Sequence, residues 1–110
     1  MKYEHKNLAG GRWRQLSFIE QMANIGSEVE RSLSWRSRNN TDYSLKAFER
    51  TLELIGLTVD GIRNYAKLKE LTRLRELLID FFLGENQYNS TESFWHNYFL
   101  HFAYAARKDY

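Results

Sequence analysis

FWHNYFLHFAYAARK, residues 94–108, places Phe94, Trp95, Tyr98, Phe99, Phe102 and Tyr104 within one short stretch, at spacings that suit a helix. No other segment holds so much large apolar surface. At ~100° per residue, Trp95, Tyr98, Phe99, Phe102 and Ala106 point one way, with Phe94, Ala103 and Ala105 on the flanks. His96, Leu100, Tyr104 and Arg107 point the other way. A helix that is apolar nearly all round is normally buried nearly all round. The stretch is therefore expected to close its own core with one side and to meet a second copy of the chain with Leu100, Tyr104, His96 and Arg107.

Working back toward the start, Leu71, Leu74, Leu78 and Phe81 mark a helix over about 64–83, widened by Leu68, Leu77, Ile79 and Phe82 and stopped at Gly84. Arg75 falls inside that apolar sector, where an arginine needs a carboxylate, an interface or a route to the rim. Between these two helices the polar run 84–90 reads as a loop, with Asn89 and Glu92 as a capping pair. Leu45, Phe48, Leu52, Ile55 and Val59 repeat at +3 and +4 in a helix that Thr41 or Asp42 caps and Gly61 stops. Tyr43, Ala47 and Leu54 form its weaker second strip.

The first long helix opens on Ser17-Phe18-Ile19-Glu20, which fits a capping box, and ends at Arg38-Asn39-Asn40. Its seam is Ile19, Met22, Gly26, Val29 and Leu33. Gly26 costs about 1 kcal/mol relative to alanine in a helix, and with Ala23 and Ser27 beside it the close approach of another helix would explain that cost. The opposite stripe runs Glu20, Asn24, Glu28, Arg31, Trp35, Arg38. Residues 1–16 are polar and broken by Gly10-Gly11, so they read as a flexible arm whose one anchor candidate is Trp13.

These readings give an all-α chain: an arm over 1–16 and a single domain over 17–110 built as an antiparallel up-and-down four-helix bundle with short loops. At 110 residues the chain is long enough for one sizeable core. With no cysteine, disulfides, thiolate metal sites and cysteine nucleophiles are excluded. The first residues lack the apolar stretch of a secretory signal, and the apolar runs are too short to span a bilayer, so a cytoplasmic setting without membrane contact is expected.

No catalytic constellation stands out. His96 and His101 are five apart, so they do not share a helical face as a metal pair would, and no metal or cofactor is expected. Neither a Gly-x-Ser-x-Gly elbow nor a glycine-rich phosphate loop occurs. Small prokaryotic helical bundles include the HEPN-type ribonucleases, whose pattern is an arginine, four to six residues, then a histidine. Here the nearest arginine before His96 is Arg75, and His5 precedes every arginine, so that motif is missing. A non-enzymatic role is expected.

The net charge of +2 is concentrated in the first third, where residues 1–40 carry seven Lys/Arg against four Asp/Glu. That leaves an alternative reading: a surface of Arg12, Trp13, Arg14, Arg31, Trp35 and Arg38 that stacks bases and holds the phosphates of RNA or single-stranded DNA, or that anchors a protein partner. Residues 16–36, LSFIEQMANIGSEVERSLSWR, together with 74–88, LRELLIDFFLGENQY, and the aromatic stretch, resemble a small prokaryotic family of uncharacterised helical proteins. The resemblance implies a prokaryotic cytoplasmic setting and no catalytic residues. The leading expectation is thus a self-associating interaction module, with a dimer favoured.

Overall fold

Each of the four long helices begins where a short polar side chain captures a free backbone N–H. The computed structural model describes residues 11–108, which form five helices: α1 (Trp13–Gln15), α2 (Phe18–Ser37), α3 (Thr41–Gly61), α4 (Tyr65–Phe82) and α5 (Glu92–Lys108). The chain is all-helical, with no strand among the described residues. No helix of the described residues is long and apolar enough to cross a membrane.

Ser17 accepts from the Glu20 amide at 3.1 Å and Glu20 accepts from the Ser17 amide at 3.0 Å, completing the expected capping box. The caps expected for α3 and α5 shift by one or two residues. Asn40, not Thr41 or Asp42, caps α3 by accepting from the Tyr43 amide, and Asn64 caps α4 through the Lys67 amide. Thr91, not Asn89, accepts from the Phe94 amide at the start of α5. Asn39, Asn86 and Asn89 instead take positive φ angles of 61°, 53° and 54°. Asparagine tolerates this left-handed backbone because its short amide bonds locally, so Asn89 turns the chain where a cap was expected, and Asn39 and Asn86 turn it in the expected loops.

Helix α2 is the hub. Its backbone lies closest to α3 on one side and α5 on the other; α4 lies against α3, and α1 against the far end of α3. The sense of each pair follows from its contacts. Ser32 meets Ser44 and Trp35 meets Tyr43, so α2 and α3 run oppositely. Phe18 meets Phe102 while Glu30 meets His96, so α2 and α5 also run oppositely. Side chains join α4 to its neighbours: Phe82 stacks on Phe48, Phe81 packs edge-on to Trp95, and the Arg36 guanidinium lies 4.3 Å from the Phe81 ring centre. Trp95 and Phe99 carry α5 into a core with Met22, Ile25, Val29, Leu33, Ile55, Leu71 and Leu78. The Trp95 indole N–H has no acceptor, a cost of about 1–3 kcal/mol that the ring's burial must offset.

The buried side of α3 is turned from the expected seam. Leu45 is exposed and Leu52 and Val59 are half-buried, whereas Ser44, Phe48, Thr51, Ile55 and Thr58 form the inner line with Ala47 and Leu54 beside it. Hydroxyl side chains can sit inside because each finds an acceptor at short range. The Ser32 hydroxyl donates to the Ser44 carbonyl and the Ser44 hydroxyl to the Ser32 carbonyl, both at 2.9 Å. Thr51 and Thr58 donate to the carbonyls of Ala47 and Leu54 in their own helix. Bonded in this way they act as small, nearly apolar spacers that let α2 come close.

Gly26 does for α5 what those spacers do for α2 and α3. A Cβ placed there would lie 2.8 Å from Phe99 Cβ and Cδ1, so the expected close approach is real, and Phe99 is what makes it. Of the arm expected over 1–16, residues 1–10 lie outside the described part. The segment after them is held: Trp13 is 1% exposed, its indole N–H donates to Thr58 Oγ1 at 3.0 Å, and its carbonyl accepts from Gln21. The expected arm therefore does not include the α1 turn.

Candidate functional site

The outward side of α5 keeps the division expected from its angles. Trp95 and Phe99 are buried and Tyr98 and Phe102 half-buried, whereas Leu100 is 60% and Tyr104 68% exposed. His96 and Arg107 are exposed on the same side, so the four residues expected to meet a second copy do share one surface.

Two shallow concavities adjoin at Leu100. One, of about 680 Å³, runs along α5 and is lined by Asn97, Leu100, His101, Tyr104, Arg107 and Lys108. The other, of about 380 Å³, lies between α5 and α2. There His96, Phe99, Leu100 and Ala103 face Ala23, Gly26, Ser27 and Glu30. Its depth has a local cause: Ala23, Gly26 and Ser27 present almost no side chain, so the surface sinks where α5 is drawn in against α2.

His96 Nδ1 lies 2.6 Å from Glu30 Oε1 across that groove, a contact between residues 66 apart in the chain. Glu92 lies one helical turn before His96 in its own helix, yet the bonded carboxylate comes from α2. On the far flank of α5 the Tyr98 hydroxyl donates to Glu70 at 2.7 Å. Burial pushes the Tyr98 phenol well above its ordinary pKa, and the hydrogen bond to Glu70 and that residue's charge push it the same way.

The alternative surface does not hold together as one patch. Trp13 sits against Thr58, near the end of α3, whereas Trp35 packs edge-on to Tyr43 near its start, 4.8 Å between ring centres. The fifteen residues from 43 to 58 span about 22 Å of helix. Trp13 is buried and cannot stack on a base, leaving Arg12 and Arg14 exposed beside it. At the other end Trp35 is half-buried, Arg38 lies 5.2 Å from its ring centre, and Arg31 is drawn toward Glu28 at 3.5 Å. Two residues that the sequence reading did not include belong to this end: Tyr43, 48% exposed, and Lys46, 5.6 Å from the Tyr43 ring centre.

A third concavity, of about 460 Å³, lies between the start of α2 and the α3–α4 turn, where Arg14, Arg63 and Lys67 gather around Asp60 and Asn64. Arg75 is exposed on α4 and needs no buried partner, and His101 is exposed with its ring edge-on to Phe102. Among the described residues no group of three His, Cys, Asp or Glu side chains is placed to hold a metal ion. Compared with models of protein families, with curated proteins and with solved structures, the chain matches none.

Proposed function

We propose that this chain is a non-enzymatic helical module that associates with a second copy of itself through the α2–α5 surface. The fold beneath that surface is best described as an up-and-down four-helix bundle of α2, α3, α4 and α5. The opposite sense of the α2–α3 and α2–α5 pairs, and the side chains closing α4 onto α3 and α5, support that arrangement.

The observation that carries the reading is the pair Leu100 and Tyr104, mostly exposed at the centre of α5, with an apolar concavity on each side of Leu100. Fully burying a leucine side chain is worth about 1.5–3 kcal/mol, and a two-fold interface collects each such contribution twice. Sedimentation velocity or light scattering after size exclusion tests the reading. A dimer at tens of micromolar is expected, and Leu100→Asp with Tyr104→Asp should give a folded monomer. A wild-type chain that is monomeric at that concentration overturns it.

A second reading rests on the Trp35–Tyr43 corner, where two aromatic rings lie beside Arg38 and Lys46. Such a corner can stack bases and hold phosphates. Fluorescence anisotropy with a single-stranded oligonucleotide at about 50 mM salt should then show binding that weakens steeply as salt rises. No binding at that salt removes this reading.

A further inference from the structure

From the distribution of charge along α5 we infer that the second copy seats its α5 antiparallel on the first, with Leu100 on the two-fold axis. This rests on the self-association proposed above and fixes its geometry. Leu100 lies midway along α5, eight residues from Glu92 and eight from Lys108. At ~100° per residue, Ser93, His96, Tyr104 and Arg107 all fall within about 40° of Leu100 around the helix, and all of them are exposed. They form one stripe with Leu100 at its middle and Ser93 and Arg107 at its ends; Glu92 lies beside the Ser93 end, about 80° around the helix from Leu100.

The ends differ in sign. The first turn carries Glu92, and Glu30 of α2 joins the same end through His96; the last turn carries Arg107 and Lys108. A parallel pairing would bring Arg107 level with its own copy, cation against cation, and would set the two helix dipoles side by side in the same direction. An antiparallel pairing about Leu100 sets Arg107, seven residues after the axis, level with Ser93, seven before it.

The flank matches as well as the height. Glu92, His96, Ala103 and Arg107 all lie on the side of the stripe that faces α2, because His96 and Ala103 line the groove that α5 forms with α2. A two-fold axis perpendicular to both helices keeps each flank on its own side. Arg107 of one copy therefore arrives beside Glu92 and Glu30 of the other, twice per dimer, while Leu100 meets Leu100 at the centre.

A nitroxide label on Ser93→Cys tests this, because the chain has no other thiol and Ser93 is exposed. In the antiparallel dimer the two labels are fourteen residues apart along the helix axis, about 21 Å, before the distance between the helices is added. A label distance in that range supports the inference. A dimer whose labels lie within about one helix-to-helix spacing, 8–10 Å, is parallel and overturns it while leaving self-association standing. Labels much farther apart than 30 Å place the interface off α5 and also overturn it. A monomer removes the self-association itself. As an independent readout, Arg107→Glu should weaken the dimer roughly tenfold, as for a pair worth about 1.4 kcal/mol. Adding Glu92→Arg to that chain should restore much of the loss; no restoration counts against the inferred register.

Discussion

Two glycines in helix interiors should respond to the same substitution with opposite sign. Gly26 in α2 and Gly56 in α3 each lose helix propensity relative to alanine, about 1 kcal/mol. At Gly56 a new Cβ meets nothing within 4 Å, so Gly56→Ala should raise stability by about that amount. At Gly26 the same methyl would stand 2.8 Å from Phe99 Cβ and Cδ1 and 2.9 Å from Cγ. Comfortable carbon–carbon contact is about 3.5–4.0 Å, so Phe99 must retreat by roughly 0.7 Å. Its Cβ is fixed to the α5 backbone and no rotamer moves it, so the helix has to shift. Overpacking of this kind costs about 1–3 kcal/mol. The propensity gain offsets part of that, leaving Gly26→Ala about 1 kcal/mol less stable than the wild type. Because the propensity gain is common to both variants, their difference isolates the steric cost. Urea denaturation at matched protein concentration reads it: Gly56→Ala moves the midpoint up, Gly26→Ala moves it down, and the slope stays constant. If Gly26→Ala proved as stable as Gly56→Ala, the account of how α5 seats on α2 would be wrong.

Tyr98 gives the molecule an alkaline limit. Its folded pKa is raised, so its contribution to stability is fully present below tyrosine's ordinary value of about 10 and is lost as pH rises beyond it. Tyr98→Phe should flatten the loss of stability above that pH, measured by urea midpoints across an alkaline series. Trp13→Phe keeps an aromatic ring but loses the bond to Thr58 and part of the buried indole volume, and thermal melts should show a cost of about 1–3 kcal/mol. Trp13→Ala also empties the site and should cost about 3–5 kcal/mol. Asp80 holds the α4–α5 loop by accepting from the amides of Gln87 and Tyr88 at 2.8 and 3.1 Å. Asp80→Ala should therefore speed amide hydrogen exchange at those two residues while leaving α2 and α3 protected.

The capping box at Ser17 and the notch at Gly26 were legible in the sequence because each depends on residues near one another in the chain. So was the split of α5 into an inner and an outer side, which follows from helical angle alone. The turn of α3 was not, because a reading that follows large apolar residues passes over Ser44, Thr51 and Thr58, whose polarity is cancelled by a carbonyl of α2 for Ser44 and by carbonyls one turn back in α3 for the two threonines. Trp13 was recognised as an anchor candidate, yet Thr58, forty-five residues on, is what makes its burial tolerable. The pairing of His96 with Glu30 and of Tyr98 with Glu70 likewise joins residues from different helices, and no local spacing announces it. The carboxylate of Asp80 organises a loop that the helical pattern does not describe.

The central position of α2 also sets an order of assembly. Its contacts with α3 close a short turn, whereas its contacts with α5 bring together residues as far apart as Glu30 and His96. The chain entropy lost on closing a loop grows with loop length, and contacts distant in sequence slow folding. Refolding is thus expected to pass through a transition state in which the α2–α3 hairpin is largely formed and α5 is not yet docked. Substitutions at Ala47 should slow folding, whereas those at Phe99 should chiefly speed unfolding. Until α5 docks, the groove at Gly26 stays open, and the protein's most aromatic helix has no core to enter.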